Sequence, residues 1–249
     1  MRRAPGAGHY LQAVRLGSTA GTTGYPYDLP AVRYLTRSGG LSLPPGVTFL
    51  VGENGSGKST LLEAIAVAAG LNPEGGSQNY RFATRATESE LGGHLVLRWG
   101  VHKPRSRFFL RAESFYNVAT ESERLGPSQL AALGGSPHTR SHGESFVDLM
   151  RHRFFPGGLY LMDEPEAALS PRGCMTALAR IAELVSEGCQ FVVATHSPIL
   201  LAVPGATIYQ IDEGGTIDSV EFDQASPVTI TREFLARPQH YLRYLVEEQ

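Results

Sequence analysis

With 249 residues, 42% of them hydrophobic, the chain can bury one large core or at most two small ones. A formal net charge of −2 excludes a global field that would draw it onto nucleic acid or an anionic membrane, although a local basic patch stays open. Two cysteines, Cys174 and Cys189, make neither a disulfide framework nor a metal set, and are expected as buried, reduced thiols.

The opening MRRAPGAGHYLQAV carries two arginines but no apolar run behind them, so it does not read as a secretory signal. Residues 1–45 alternate short apolar pieces with Gly/Pro turns and predict a β-rich entry. VTFLV at 47–51 predicts a buried strand that runs into GENGSGKST. After it, LLEAIAVAA places Leu61, Leu62, Ile65, Ala66 and Ala69 on one face at helical spacing. That stretch is the longest mostly apolar run, but it contains Glu63 and is too short to span a bilayer. A cytoplasmic location without membrane insertion is expected.

Residues 73–113 are turn-rich, with two strand-like pieces, HLVLRW and RFFLRAE. From 114 to 155 the texture predicts helix with long loops. GLYLMD then predicts a strand, followed by a helix with Ser170 as N-cap, Pro171 at its first position and Gly188 at its end. Met175, Leu178, Ile181, Ala182 and Val185 form its apolar stripe. CQFVVAT predicts another buried strand, ATIYQI and TIDSV a hairpin, and the tail a final helix containing Phe234, Tyr241, Leu242 and Leu245. Strands that are apolar throughout, alternating with helices, point to an α/β fold with a mostly parallel central sheet. A β-rich N-terminal part and a helical insert hang from it.

Three segments carry chemistry. Gly52, Glu53, Asn54, Gly55, Ser56, Gly57, Lys58 and Ser59 fit G-x-x-x-x-G-K-[ST], between a strand and an amphipathic helix. Glycines there let backbone N–H groups turn inward around phosphate oxygens at the positive end of a helix. Lys58 is placed to contact the β and γ phosphates and Ser59 to bind Mg²⁺, with Thr60 beside them. In GLYLMDEPE, Asp163 is the metal-side carboxylate, and Glu164 is placed to polarise an attacking water; Pro165 keeps Glu164 out of helical geometry. In ATHS, His196 falls at the carboxyl end of a strand, where open α/β sheets bind ligands, and is suited to donate toward the γ-phosphate or the water.

RSHGES, at 140–145, is open to several readings. Gly143-Glu144-Ser145-Phe146-Val147 lacks the second glycine of a nucleophile elbow. His138 and His142 lack further ligands at metal-site spacing. A plain loop or a ligand-contacting loop remains.

GENGSGKST, LYLMDEPE, EAALS and ATHS, in that order, resemble the ABC-type ATPase superfamily over residues from about 47 to 200. The layout is closer to the SMC/RecF-like branch and its small bacterial relatives than to a transporter subunit. This resemblance implies ATP and Mg²⁺ as ligands, and a head-to-tail dimer that sandwiches ATP between one subunit's phosphate loop and the other's signature loop. Ser141 and Gly143 match the two signature positions that approach the γ-phosphate in trans, whereas Arg140, His142 and Glu144 depart from the L-S-G-G-Q pattern. Glu113 stands where the family's glutamine loop has its glutamine and is a further candidate metal ligand; Gln78 competes for that place. Ser170 stands where the family's D-loop usually ends in aspartate. Tyr25, Tyr27 and Arg15 are candidates to cover the adenine.

The span between Lys58 and Ser141 has room for a helical subdomain but not for a long coiled coil, and no sustained heptad appears. The expectation is one ATPase domain over 1–249: a β-rich and phosphate-loop part to about 113, a helical part with the signature loop at 114–155, and the remainder at 156–249. It would hydrolyse ATP to ADP and phosphate as a standalone enzyme with an unidentified protein partner. Alternatives are the energy subunit of a membrane transporter, or a slow nucleotide-gated switch in DNA repair or defence.

Overall fold

A computed structural model describes residues 8–21, 23–73, 75–77, 90–112 and 142–247. Gln78, Glu113 and Ser141 lie outside the described residues.

The elements in chain order begin with β1 (Leu11–Leu16), α1 (Pro30–Ser38), β2 (Leu41–Ser42), β3 (Val47–Gly52) and α2 (Lys58–Ala68). Next come β4 (Gly76–Ser77), the single turn α3 (Leu91–His94), β5 (Leu95–Trp99) and β6 (Arg107–Arg111). They continue with α4 (His142–Arg153), β7 (Leu159–Asp163), α5 (Pro171–Ser186), β8 (Gln190–Ala194), β9 (Thr207–Ile211), β10 (Ile217–Val220), α6 (Ser226–Ala236) and α7 (Pro238–Glu247).

Among the described residues, seven strands form one sheet in the order β10-β9-β3-β8-β7-β6-β4. Its five inner strands run parallel, and β10 and β4 add antiparallel edges. A second, antiparallel sheet has the order β2-β1-β5. This is the α/β architecture with a mostly parallel sheet that the strand composition predicts.

Side-chain alternation explains why the inner strands are apolar throughout. Phe49 and Val51 of β3, Tyr160 and Met162 of β7, and Phe191 and Val193 of β8 face one core with α4 and α5. Leu50, Leu159, Leu161, Val192 and Ala194 face the opposite core, which contains α2, α1 and the three-stranded sheet. Lying between two sheets, α2 is buried nearly all round, through Leu61, Leu62, Ala64, Ile65 and Ala66.

The buried Gln190 joins the sheets. Its Oε1 accepts from the N–H groups of Tyr10 (3.0 Å) and Leu11 (2.9 Å), and its Nε2 donates to the carbonyls of Leu11 (2.8 Å) and Pro44 (3.1 Å). A polar side chain at the start of an apolar strand is tolerated here because every group it carries has a partner.

Three expectations need correction. The β-rich entry also contains α1, which starts with Pro30 and ends at Gly39 in the left-handed region, with Ala31, Val32 and Leu35 buried. These are ordinary helix punctuation marks that the turn-rich texture obscured. The buried stripe of α5 is Cys174, Ala177, Ile181 and Leu184, while Met175 is 58% exposed. Ile181 of the expected stripe is buried, and Leu178 and Val185 pack, partly buried, against the same core; small residues at 174 and 177 let the helix approach closely on the Cys174 side, so the buried face is centred there rather than on Met175. The tail forms two helices rather than one, because Pro238 has no N–H with which to continue α6. Ser170 does cap α5, accepting from the Gly173 N–H at 3.1 Å, and both cysteines are buried and free. Among the described residues, no helix is long and apolar enough to cross a membrane.

Candidate active site

The phosphate loop begins where β3 ends and closes into α2 without a side-chain cap, so the positive end of that helix stays open. Gly57, at the helix N-cap, has φ 89° and ψ 15°, and a Cβ there would lie 3.0 Å from Leu29 Cβ. Only glycine fits this turn. The N-terminus of α1 supports the loop through the Ala31 N–H, which donates to the Ser56 carbonyl at 2.9 Å.

Glu53, Asn54 and Gly55 are exposed, Ser59 and Thr60 half-buried, and Lys58 only 4% exposed. The Lys58 Nζ donates to the carbonyls of Gly52 (2.8 Å) and Glu53 (3.2 Å). Burial pushes its pKa below the usual lysine range; Glu164, Asp163, Glu53 and Glu166 pull it back upward. The phosphate-loop lysine therefore lies within the field of the acidic turn after β7.

That turn is placed by strand register. Asp163, at the end of β7, pairs with Ala194 at the end of β8, and the Glu164 N–H donates to the Ala194 carbonyl at 2.9 Å. Asp163 is 4% exposed and ion-paired to Arg111 Nε at 3.4 Å, while Arg111 Nη1 reaches Glu63 of α2 at 2.8 Å. One guanidinium thus links the acidic strand end, strand β6 and the phosphate-loop helix.

Glu164 has φ 46° and ψ 52°, and among the described residues it is the one non-glycine with positive φ. Pro165 does exclude right-handed helical geometry, and the residue instead takes the left-handed region. That conformation costs about 1–2 kcal/mol for an L-residue. It leaves the carboxylate half-exposed, with Oε1 3.9 Å from His196 Nε2, too far for a hydrogen bond. His196 Nε2 and Ser56 Oγ are both buried without a hydrogen-bond partner. Orphaned polar atoms of this kind at a cleft are what a bound ligand satisfies.

The structure therefore brings Lys58, Asp163, Glu164 and His196 together at the carboxyl ends of β3, β7 and β8. His142 opens α4, so Gly143 lies in that helix's first turn. Of the adenine candidates, Tyr27 is buried at 7% exposure and packs edge-on to His94, and Arg15 stands on β1 in the other sheet. Tyr25, 75% exposed, precedes the helix that supports the phosphate loop.

The sequence patterns above give no role to Arg111, Glu63 or Glu166. Signals existed for each: a basic residue ending an apolar strand, a lone acid in an apolar helix, and a third acid in DEPE.

A family model described as "AAA domain" matches residues 34–113, and another, described as "AAA domain, putative AbiEii toxin, Type IV TA system", matches residues 129–202. The cytochrome c biogenesis ATP-binding export protein CcmA of Rhodospirillum rubrum is 30% identical over 179 residues, covering 68% of this chain and 75% of that relative. The pyoverdine export ATP-binding/permease protein PvdT of Pseudomonas entomophila is 29% identical over 224 residues; these cover 80% of this chain but only 33% of PvdT. Among solved structures, a nucleotide-free ATP-binding cassette from an ABC transporter aligns with 92% of this chain and 96% of its own, at 14% identity and a TM-score of 0.48. At that score the likeness adds nothing to the strand order described above.

Proposed function

Because the chain belongs to the ABC-type P-loop ATPases, we propose that it binds ATP with Mg²⁺ at loop 52–59 and hydrolyses it to ADP and phosphate. It does so, in this reading, as one ATPase unit over 1–249 that forms a head-to-tail dimer around the nucleotide in the cytoplasm, with a protein partner yet to be identified. The observation that carries the reading is the convergence of Lys58, Asp163, Glu164 and His196 at the ends of neighbouring parallel strands.

The loop's backbone N–H groups and the open end of α2 cradle the phosphates. Lys58 exchanges the Gly52 and Glu53 carbonyls for β- and γ-phosphate oxygens. The Ser59 hydroxyl in the first turn of α2 and the Asp163 carboxylate at the end of β7 are hard oxygen donors, a set that suits Mg²⁺. When bound, the ion neutralises phosphate charge. Glu164 takes the proton from the attacking water, and His196 Nε2 donates toward the γ-phosphate or that water. Ser141 and Gly143 approach the γ-phosphate held by the second copy.

Two variants test this. Lys58→Ala is expected to abolish ATP binding in calorimetry; unchanged affinity refutes the phosphate-loop assignment. Ser141→Arg is expected to stop turnover while ATP binding stays near normal; turnover that survives refutes the trans contact.

A second reading, the energy subunit of a membrane transporter, is favoured by the name of the CcmA relative, an ATP-binding export protein. It predicts copurification with a membrane subunit, whereas the standalone reading predicts a dimer of this chain alone on addition of ATP.

A further inference from the structure

We propose that Glu166 is a positioning residue: it fixes the backbone of His196 opposite Glu164, so that the turn after β7 sets the geometry of the histidine loop. This deepens the ATPase reading and rests on it.

Glu166 lies in the 3₁₀ turn Pro165–Ala168, on the other side of Pro165 from Glu164. Its Oε1 accepts from the His196 backbone N–H at 2.5 Å, and its Oε2 accepts from the Thr195 hydroxyl at 2.7 Å. Thr195 is fully buried. Its Oγ1 in turn accepts from the Ser197 N–H at 3.0 Å, and the Ser197 hydroxyl accepts from the Leu200 N–H at 3.4 Å. One carboxylate thereby pins the segment where β8 leaves the sheet. The contacts span about thirty residues of chain, so they report tertiary placement rather than local turn formation.

The two glutamates divide the work. The Ala167 N–H donates to the Glu164 carbonyl, and the Leu169 N–H to the Glu166 carbonyl, both at 3.0 Å, which holds the two carboxylates in a fixed relation. Glu164 faces the imidazole of His196, while Glu166 holds its main chain. Both Glu166 oxygens are already engaged by donors, so this carboxylate is not a second base. A carboxylate suits the place because both partners donate, and charge-assisted bonds of this kind are short and directional. A glutamine keeps the oxygen that meets the His196 N–H. Its NH₂ group requires the Thr195 hydroxyl to turn and accept, which a hydroxyl with two lone pairs can do. Alanine leaves the buried Thr195 hydroxyl and the half-buried His196 N–H without an acceptor.

The test compares the full-length wild type with Glu166→Ala and Glu166→Gln by NMR of labelled His196, by calorimetry with ATP and by steady-state kinetics. The His196 amide proton should resonate downfield in the wild type and move upfield in both variants, further in alanine. Glu166→Ala should lose roughly tenfold or more in kcat, as expected for a displaced catalytic group. Its ATP affinity should stay within about twofold, and Glu166→Gln should recover most of kcat. Unmoved His196 resonances overturn the proposal, as does a kcat loss that only follows ATP affinity. Should the alanine variant not fold, the glutamine variant decides by the same amide shift. Absence of ATP turnover in the wild type itself refutes the hydrolytic reading, and the NMR comparison still decides the role of Glu166.

Discussion

Glu164 Oε1 stands 3.9 Å from His196 Nε2 across the ends of two adjacent parallel strands. The separation follows from register, since Asp163 pairs with Ala194 and the two residues lie one and two positions beyond that pair. Parallel register places both side chains at the same end of the sheet, beside the phosphate loop that follows β3. The left-handed conformation of Glu164 holds its carboxylate at the rim of the site. Strain of this kind persists only where surrounding packing over-determines it.

Gln190 carries the junction between the two sheets. Gln190→Leu conserves shape but leaves two N–H groups and two carbonyls of the N-terminal segment without their partner. The expected cost is about 4 kcal/mol, read as a lower urea midpoint at unchanged m-value. A midpoint equal to that of the wild type contradicts the stapling role.

Arg111 sits between Glu63 and Asp163, whose side chains are 14% and 4% exposed. Arg111→Met removes a cation from two largely buried carboxylates, and the expected loss is about 3 kcal/mol. A thermal melt should show it as a fall of several degrees. An unchanged midpoint means that the guanidinium contributes no net stability to the acidic strand end.

Tyr160 provides a pH-dependent test of the core beneath α4. Its hydroxyl donates to the Phe155 carbonyl (2.9 Å), accepts from the Phe155 N–H (2.6 Å) and lies 2.8 Å from Ser106 Oγ, while its ring stacks on Phe154. Burial raises its pKa from 10.0 to about 12. The folded value is the higher one, so the neutral phenol's stabilisation is whole below pH 10 and is lost as pH rises towards 12. The linked stability is about 3 kcal/mol. Tyr160→Phe should therefore be less stable than the wild type near neutrality, with the gap closing in alkaline melts. A gap that stays constant with pH contradicts the assignment.

Much of the fold was legible in the sequence because apolar strands, glycine turns and the Ser170 cap are local signals. The phosphate loop and the acidic strand end could be read for the same reason: their residue order is their chemistry. Helix α1 is hidden in the sequence because its Pro30 and Gly39 resemble turn punctuation until a buried stripe joins them. The roles of Arg111 and Glu166 were not legible, since each depends on which strands become neighbours. Glu166 meets His196 only because β7 lies beside β8, and no spacing rule along the chain encodes that pairing.

If Glu164 is the base for ATP hydrolysis at the phosphate loop, removing its charge slows phosphate release. The most direct test is steady-state phosphate release from Mg²⁺-ATP by the wild type and by Glu164→Gln, at protein concentrations that permit dimer formation. Turnover by the wild type and a loss on the order of 10²-fold or more in the variant are expected. Equal rates for the two proteins would contradict that role for Glu164.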